Sequence, residues 1–111
     1  MRAARLQAIK SDIAANLEDD ALALPAVAAR HGVTPRYVHR LFEGEGVTYT
    51  QFVLRQRLER AYRMLRDTRM AGRSISAIAY DVGFGDLSYF NRAFRRRYGA
   101  TPSDIRHRGH D

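Results

Sequence analysis

The chain has 111 residues, a formal charge of +7, a pI near 10.5 and no cysteine. The missing thiols exclude disulfides, thiolate zinc sites and cysteine nucleophiles, and the length allows one domain or two very small ones sharing a core. The longest apolar run, Ala21 to Ala29, is nine residues with Pro25 inside it, too short for a membrane span or a signal peptide, so a soluble, cytoplasmic protein is expected.

Leu6, Ile9, Ile13 and Leu17 step by three and four, which gives one apolar face of an opening helix that closes in Glu18-Asp19-Asp20. A second, short helix is expected from about Leu24 to His31, with Gly32 as its stop. Thr34-Pro35 then reads as a cap followed by a proline tolerated at the first helical position, and starts a third helix over about 35–44. From about Thr50 to Thr68, Leu54, Leu58, Ala61, Tyr62 and Leu65 form a continuous stripe along the longest helix, the element the two halves would share. Ala71-Gly72-Arg73 breaks it, and Ser74 or Ser76 opens a fifth helix through Ile75, Ile78, Ala79 and Val82. Gly83-Phe84-Gly85 makes a turn, Asp86 caps a sixth helix over 86–98, and Gly99 ends it. Thr101-Pro102 starts a last turn of helix, after which RHRGHD is expected to fray. The expected fold class is all-α with about seven helices. A first helix-turn-helix unit would occupy residues 1–49, a linking helix 50–70, a second unit 71–108 and a frayed tail 109–111.

A helix-turn-helix needs a small residue where its helices cross, a glycine in the turn and apolar residues on the inner face of its second helix. Val27, Ala28, Gly32, Val33, Val38, Leu41 and Phe42 meet those needs in the first half; Ile78, Ala79, Gly83, Phe84, Phe90, Ala93 and Phe94 meet them in the second. The offset is 51 residues from Val27/Ile78 through Gly32/Gly83, 52 from Tyr37/Tyr89 through Phe42/Phe94, and 53 where Gly46-Val47-Thr48 echoes Gly99-Ala100-Thr101. The chain therefore reads as an internal duplication whose second turn is one residue longer. Tyr37 and Tyr89 are expected to pack rather than to stack on bases.

With Phe90, Ala93 and Phe94 facing inward, helical spacing sends Ser88, Asn91, Arg92, Arg95 and Arg96 outward, a donor set without an acidic residue. Arg36, His39, Arg40 and Glu43 face out from the third helix. Arginine and asparagine can make paired hydrogen bonds to guanine and adenine edges, and Leu87 beside Asn91 could touch a thymine methyl or serve as a simple hydrophobic cap. Eighteen of the nineteen basic residues are arginine, with Lys10 the exception. Guanidinium suits phosphate and the guanine edge, although GC-rich coding would produce the same bias. The positive excess lies in the middle of the chain and in the second motif, and the arginines of the long helix read as a solvated face of which one or two meet phosphates.

The chain resembles the DNA-binding domain of the AraC/XylS family of bacterial transcription regulators from about Leu6 to Arg106. The similarity is carried by Ile78-Ala79, Val82-Gly83-Phe84, Asp86, Ser88-Tyr89-Phe90, Arg92, Phe94-Arg95, Tyr98-Gly99, Thr101-Pro102-Ser103 and Arg106. Leu24, Ala28, Val33-Thr34, Val38, Arg40-Leu41-Phe42 and Gly46 add to it in the first half, and Arg57, Ala61 and Leu65 in the linking helix. The resemblance implies sequence-specific binding of double-stranded DNA, with the third and sixth helices in adjacent major grooves on one face. It implies base readout by Arg36, His39 and Arg40 in the first unit and by Leu87, Ser88, Asn91 and Arg92 in the second. Thr34, Arg95 and Arg96 would meet phosphates. It further implies RNA polymerase as a partner, and an effector or dimerisation domain absent from this chain. Glu43 and Glu45 stand where similar proteins place basic residues, and Leu87 where a polar residue is common. About 19 residues of linking helix at ~1.5 Å each span roughly 28 Å, short of the ~34 Å between successive major-groove faces, which predicts either DNA bent to seat both units or weak engagement of one of them.

The rival reading is a protein-binding helical bundle whose charges only solubilise it; partner binding would then depend little on salt. An enzyme is not expected. His31 and His39 lie on different helices and His107 and His110 in the tail, so no catalytic constellation, metal site or cofactor follows.

Overall fold

Local capping chemistry decides where most of the helices begin, as a computed structural model describing residues 2–18 and 22–109 shows. The helices are α1 (Arg2–Ala15), α2 (Leu24–Arg30), α3 (Pro35–Glu43), α4 (Tyr49–Arg66), α5 (Ile75–Asp81), α6 (Leu87–Tyr98) and α7 (Pro102–Gly109). A single 3-10 turn, Thr68–Met70, follows α4, and there is no strand among the described residues. The architecture is all-α, with seven α-helices among the described residues. Asp19 and Asp20 in the expected close of α1, and His110 and Asp111 in the expected frayed tail, lie outside the described residues.

Thr34 Oγ1 accepts from Tyr37 N–H at 3.1 Å, Ser74 Oγ from Ala77 N–H at 3.0 Å and Asp86 Oδ1 from Tyr89 N–H at 3.1 Å. Each satisfies an amide that the first turn of a helix would leave unpaired. At α4 and α7 the caps are reciprocal. Thr48 and Gln51 exchange bonds of 2.9 and 3.0 Å, and Thr101 and Asp104 exchange two of 3.1 Å.

The chain divides into two compact units, with the boundary between Gln56 and Arg57 inside α4. In the first, Ile9 and Ile13 of α1 pack with Val27 and Ala28 of α2, Val38, Leu41 and Phe42 of α3, and Tyr49 and Val53 of α4. Tyr49 donates its hydroxyl to the carbonyl of Leu22 at 2.5 Å, so the one polar atom of that buried ring is satisfied. Outside this core, Lys10 and Glu45 pair at 2.6 Å, and the guanidinium of Arg2 donates to the carbonyl of Arg40 at 2.8 Å.

In the second unit Phe90, Phe94 and Tyr98 recur every fourth residue along the inner face of α6, with neighbouring rings 5.6 and 4.7 Å apart. Phe84 abuts this row at one end, 4.9 Å from Phe90, and Tyr62 at the other, 4.6 Å from Tyr98. Burying rings such as Phe90 and Phe94 contributes about 1.5–3 kcal/mol each. Arg106 of α7 donates to the carbonyls of Arg73 and Met70 at 2.7 and 3.4 Å.

The two helix-turn-helix corners repeat at the level of single hydrogen bonds. Val33 N–H donates to the carbonyl of Ala28, and Phe84 N–H to that of Ala79, each at 3.0 Å. Gly32 (φ +67°) and Gly83 (φ +104°) supply the left-handed backbone that both corners need.

Three local expectations are corrected. The long helix starts at Tyr49 rather than Thr50 and stops at Arg66, because the Asp67 side chain accepts from Arg69 N–H and diverts the backbone into the 3-10 turn. The expected last turn of helix is an eight-residue helix, and Arg106, His107 and Arg108 belong to it rather than to a frayed end. Tyr89, expected to pack, is 45% exposed, with its ring 6.1 Å from Phe84.

Candidate nucleic-acid interface

Each unit turns the second helix of its corner outward along one polar face. On α3, Val38, Leu41 and Phe42 are buried, so Arg36, His39 and Arg40 stand exposed, with Glu43 at the end of the same helix. On α6, burial of Phe90 and Phe94 leaves Ser88, Asn91, Arg92, Arg95 and Arg96 exposed, with Leu87 half-buried at the start. Thr34 is exposed as well; its oxygen serves as the α3 cap, and its hydroxyl hydrogen can still be donated. All ten residues expected at the site therefore lie where a ligand can reach them.

The distribution of ion pairs matters more than the count of charges. Asp12 pairs with Arg30 and His31, Glu45 with Lys10, Glu59 with Arg97, Asp67 with Arg69 and Asp81 with Arg73. The Arg73 guanidinium holds the Asp81 carboxyl below its ordinary range, and hydrogen bonds from Arg69 do the same for Asp67. Among the described residues, Arg36, Arg40, Arg92, Arg95 and Arg96 have no carboxylate within ion-pair distance. Arg30, Arg69, Arg73 and Arg97 are thus paired, whereas these five stand exposed on the open faces of α3 and α6. Planar guanidinium forks so placed can bind phosphate or the O6/N7 edge of guanine, and the Asn91 amide can bind the N6/N7 edge of adenine.

Beside the α6 face, a cleft of about 480 Å³ is lined by Ile75, Ser76, Leu87, Asn91, Arg92, Arg95, Thr101, Pro102 and Ser103. The starts of α5 and α7 converge there on α6. Ile75, Ser76, Thr101, Pro102 and Ser103 were not among the residues expected at the site; the sequence marks them as helix starts, and only tertiary packing brings them to α6. Tyr80, 56% exposed on α5, is a further aromatic that helical spacing did not single out. Among the described residues, no three His, Asp or Glu side chains gather as metal ligands, and no helix is long and apolar enough to cross a membrane.

Residues 27–108 match the model of a helix-turn-helix domain family. The transcriptional activator RhrA of Rhizobium meliloti is 44% identical over 102 residues, which are 92% of this chain and 32% of that protein. The transcriptional activator NphR of a Rhodococcus species is 37% identical over 97 residues, 87% of this chain and 28% of that one. The chain thus spans about a third of the length of the curated relatives it matches. Among solved structures, a transcriptional regulator from Chromobacterium violaceum, described as of the AraC-type DNA-binding-domain kind, superposes with a TM-score of 0.87. It shares 29% identity, over 96% of this chain and 93% of the other.

Proposed function

The chain belongs to the AraC-type helix-turn-helix family, and from that premise we propose that it binds double-stranded DNA sequence-specifically as the DNA-binding part of a bacterial transcription regulator. It is not an enzyme. The supporting observation is the pair of exposed donor faces on α3 and α6, where Arg36, Arg40, Arg92, Arg95 and Arg96 have no carboxylate within ion-pair distance among the described residues.

In this reading α3 and α6 enter adjacent major grooves. Arg36, His39 and Arg40 read bases in one groove, and Leu87, Ser88, Asn91 and Arg92 in the next, while Thr34, Arg95 and Arg96 fix the register on phosphates. Duplex DNA in the bacterial cytoplasm is the primary partner. RNA polymerase is a second partner, in keeping with relatives named transcriptional activators, and a sensing or dimerisation domain would supply the regulatory input.

Selection of bound sites from random duplex DNA, followed by footprinting, tests the reading. Enrichment of a two-part site with two protected segments about one helical turn apart supports it. A protein-binding bundle would enrich nothing, and its binding to a protein partner would vary little with salt.

A further inference from the structure

We infer that the cleft beside α6 reads the 5-methyl group of a thymine, with Leu87 as the contact residue and Ile75 and Pro102 as the apolar wall that positions it; this rests on the DNA-binding function proposed above. Leu87 is the first residue of α6, the end of a recognition helix that most readily reaches base edges. A leucine at such a place, half-buried rather than hidden, presents an apolar surface where hydrogen-bonding side chains surround it.

The wall comes from three helices. Leu87 begins α6, Ile75 begins α5 and Pro102 begins α7, and Pro102 is itself buried. The same cleft is lined by Asn91, Arg92 and Arg95, with Asn91 and Arg95 following Leu87 along one face of α6. An apolar wall beside amide and guanidinium donors matches the major-groove edge of a T·A pair and its backbone. Thymine offers a methyl to the wall and the paired adenine offers N6 and N7 to Asn91, while a phosphate oxygen meets Arg95. A cytosine at the same place has no methyl and presents an amino group, which the apolar wall cannot satisfy.

The test replaces each thymine of a selected site, one at a time, with deoxyuridine, which removes only the methyl and leaves the pairing intact. The parent chain should lose roughly fourfold in affinity at one thymine of the half-site read by α6, the equivalent of one buried methyl group. Leu87→Ala should bind the thymine and deoxyuridine duplexes alike. Leu87→Gln, which retains a long helix-compatible side chain, should also lose the methyl preference, so the result does not depend on one variant's fold. The inference is overturned if no deoxyuridine position weakens the parent, if the α6 half-site contains no thymine, or if the methyl effect persists undiminished in both variants. Failure of the parent to select any duplex site would remove the DNA-binding function itself, and is distinguishable because it precedes the deoxyuridine comparison.

Discussion

Nε2 of His31 lies 2.9 Å from Oδ2 of Asp12, joining the residue that caps the end of α2 to the middle of α1. Arg30 approaches the same oxygen at 3.1 Å, and Asn16 donates to Oδ1 at 2.8 Å, so both carboxylate oxygens are engaged immediately before the Gly32 corner. Burial pushes the Asp12 carboxyl up, but hydrogen bonds from His31 and Arg30, aided by their charge, outweigh it and hold the group below its ordinary value of 3.8.

The contribution of Asp12 is therefore complete above that ordinary value and is lost as pH falls through the lower value of the folded state. Asp12→Asn should reduce the drop in melting temperature between neutral and strongly acidic solution. Asp12→Ala should lower stability at pH 7 by about 2 kcal/mol, because Arg30, His31 and Asn16 lose a charged acceptor. Thermal melts across the pH range check both outcomes, and an Asp12→Asn melt parallel to the parent's would contradict the first.

Arg40→Ala and Arg92→Ala should each weaken binding to a selected site by about 1–3 kcal/mol and relax preference at one position only. Titration against single-base variants of the site measures this. If both variants kept the parent's preferences, α3 and α6 would not be reading with those faces.

Arg95→Ala and Arg96→Ala should behave differently from those two. Phosphate contacts carry no sequence information, so each should weaken specific and non-specific duplexes alike. Each should also reduce the slope of log affinity against log salt by about one. A base-selective loss in either variant would move that arginine from the backbone to the groove.

Gly32→Ala should destabilise the first unit by about 1–2 kcal/mol. No atom lies within 4 Å of the added methyl, so the whole cost is the left-handed backbone at φ +67°. Gly32→Asn should cost less, since asparagine tolerates that region better. Equal destabilisation by the two, measured in denaturant, would point to a steric cause instead.

The features legible in the sequence are those set by chemistry within a few residues. Thr34-Pro35, Ser74, Asp86 and Gly99 bound their helices as expected, because a cap satisfies backbone groups on its own turn. The exposed faces of α3 and α6 were legible for a related reason: once Phe42, Phe90 and Phe94 are assigned inward, the helical period fixes which neighbours point out. Thr48-x-x-Gln51 carried a readable signal that would have placed the start of α4 correctly. Other features depended on distant partners. The ordered end of α7 relies on Arg106 reaching carbonyls 33 and 36 residues away, and the pairing of Arg97 with Glu59 spans 38. The cleft at Leu87 likewise required the starts of three helices to meet.

The hold of Arg106 on the loop ahead of α5 bears on how the chain can be shortened. A C-terminal deletion that removes Arg106 would strip a donor from the carbonyls of Met70 and Arg73 and, if it reached Ile105, empty a place in the second core. The lost residues would be far along the chain from Ser74, yet the damage would appear there, at the entrance to the second corner. Trimming the tail as though it were dispensable would thus loosen the base on which α6 is mounted while leaving every side chain proposed to read bases in the sequence.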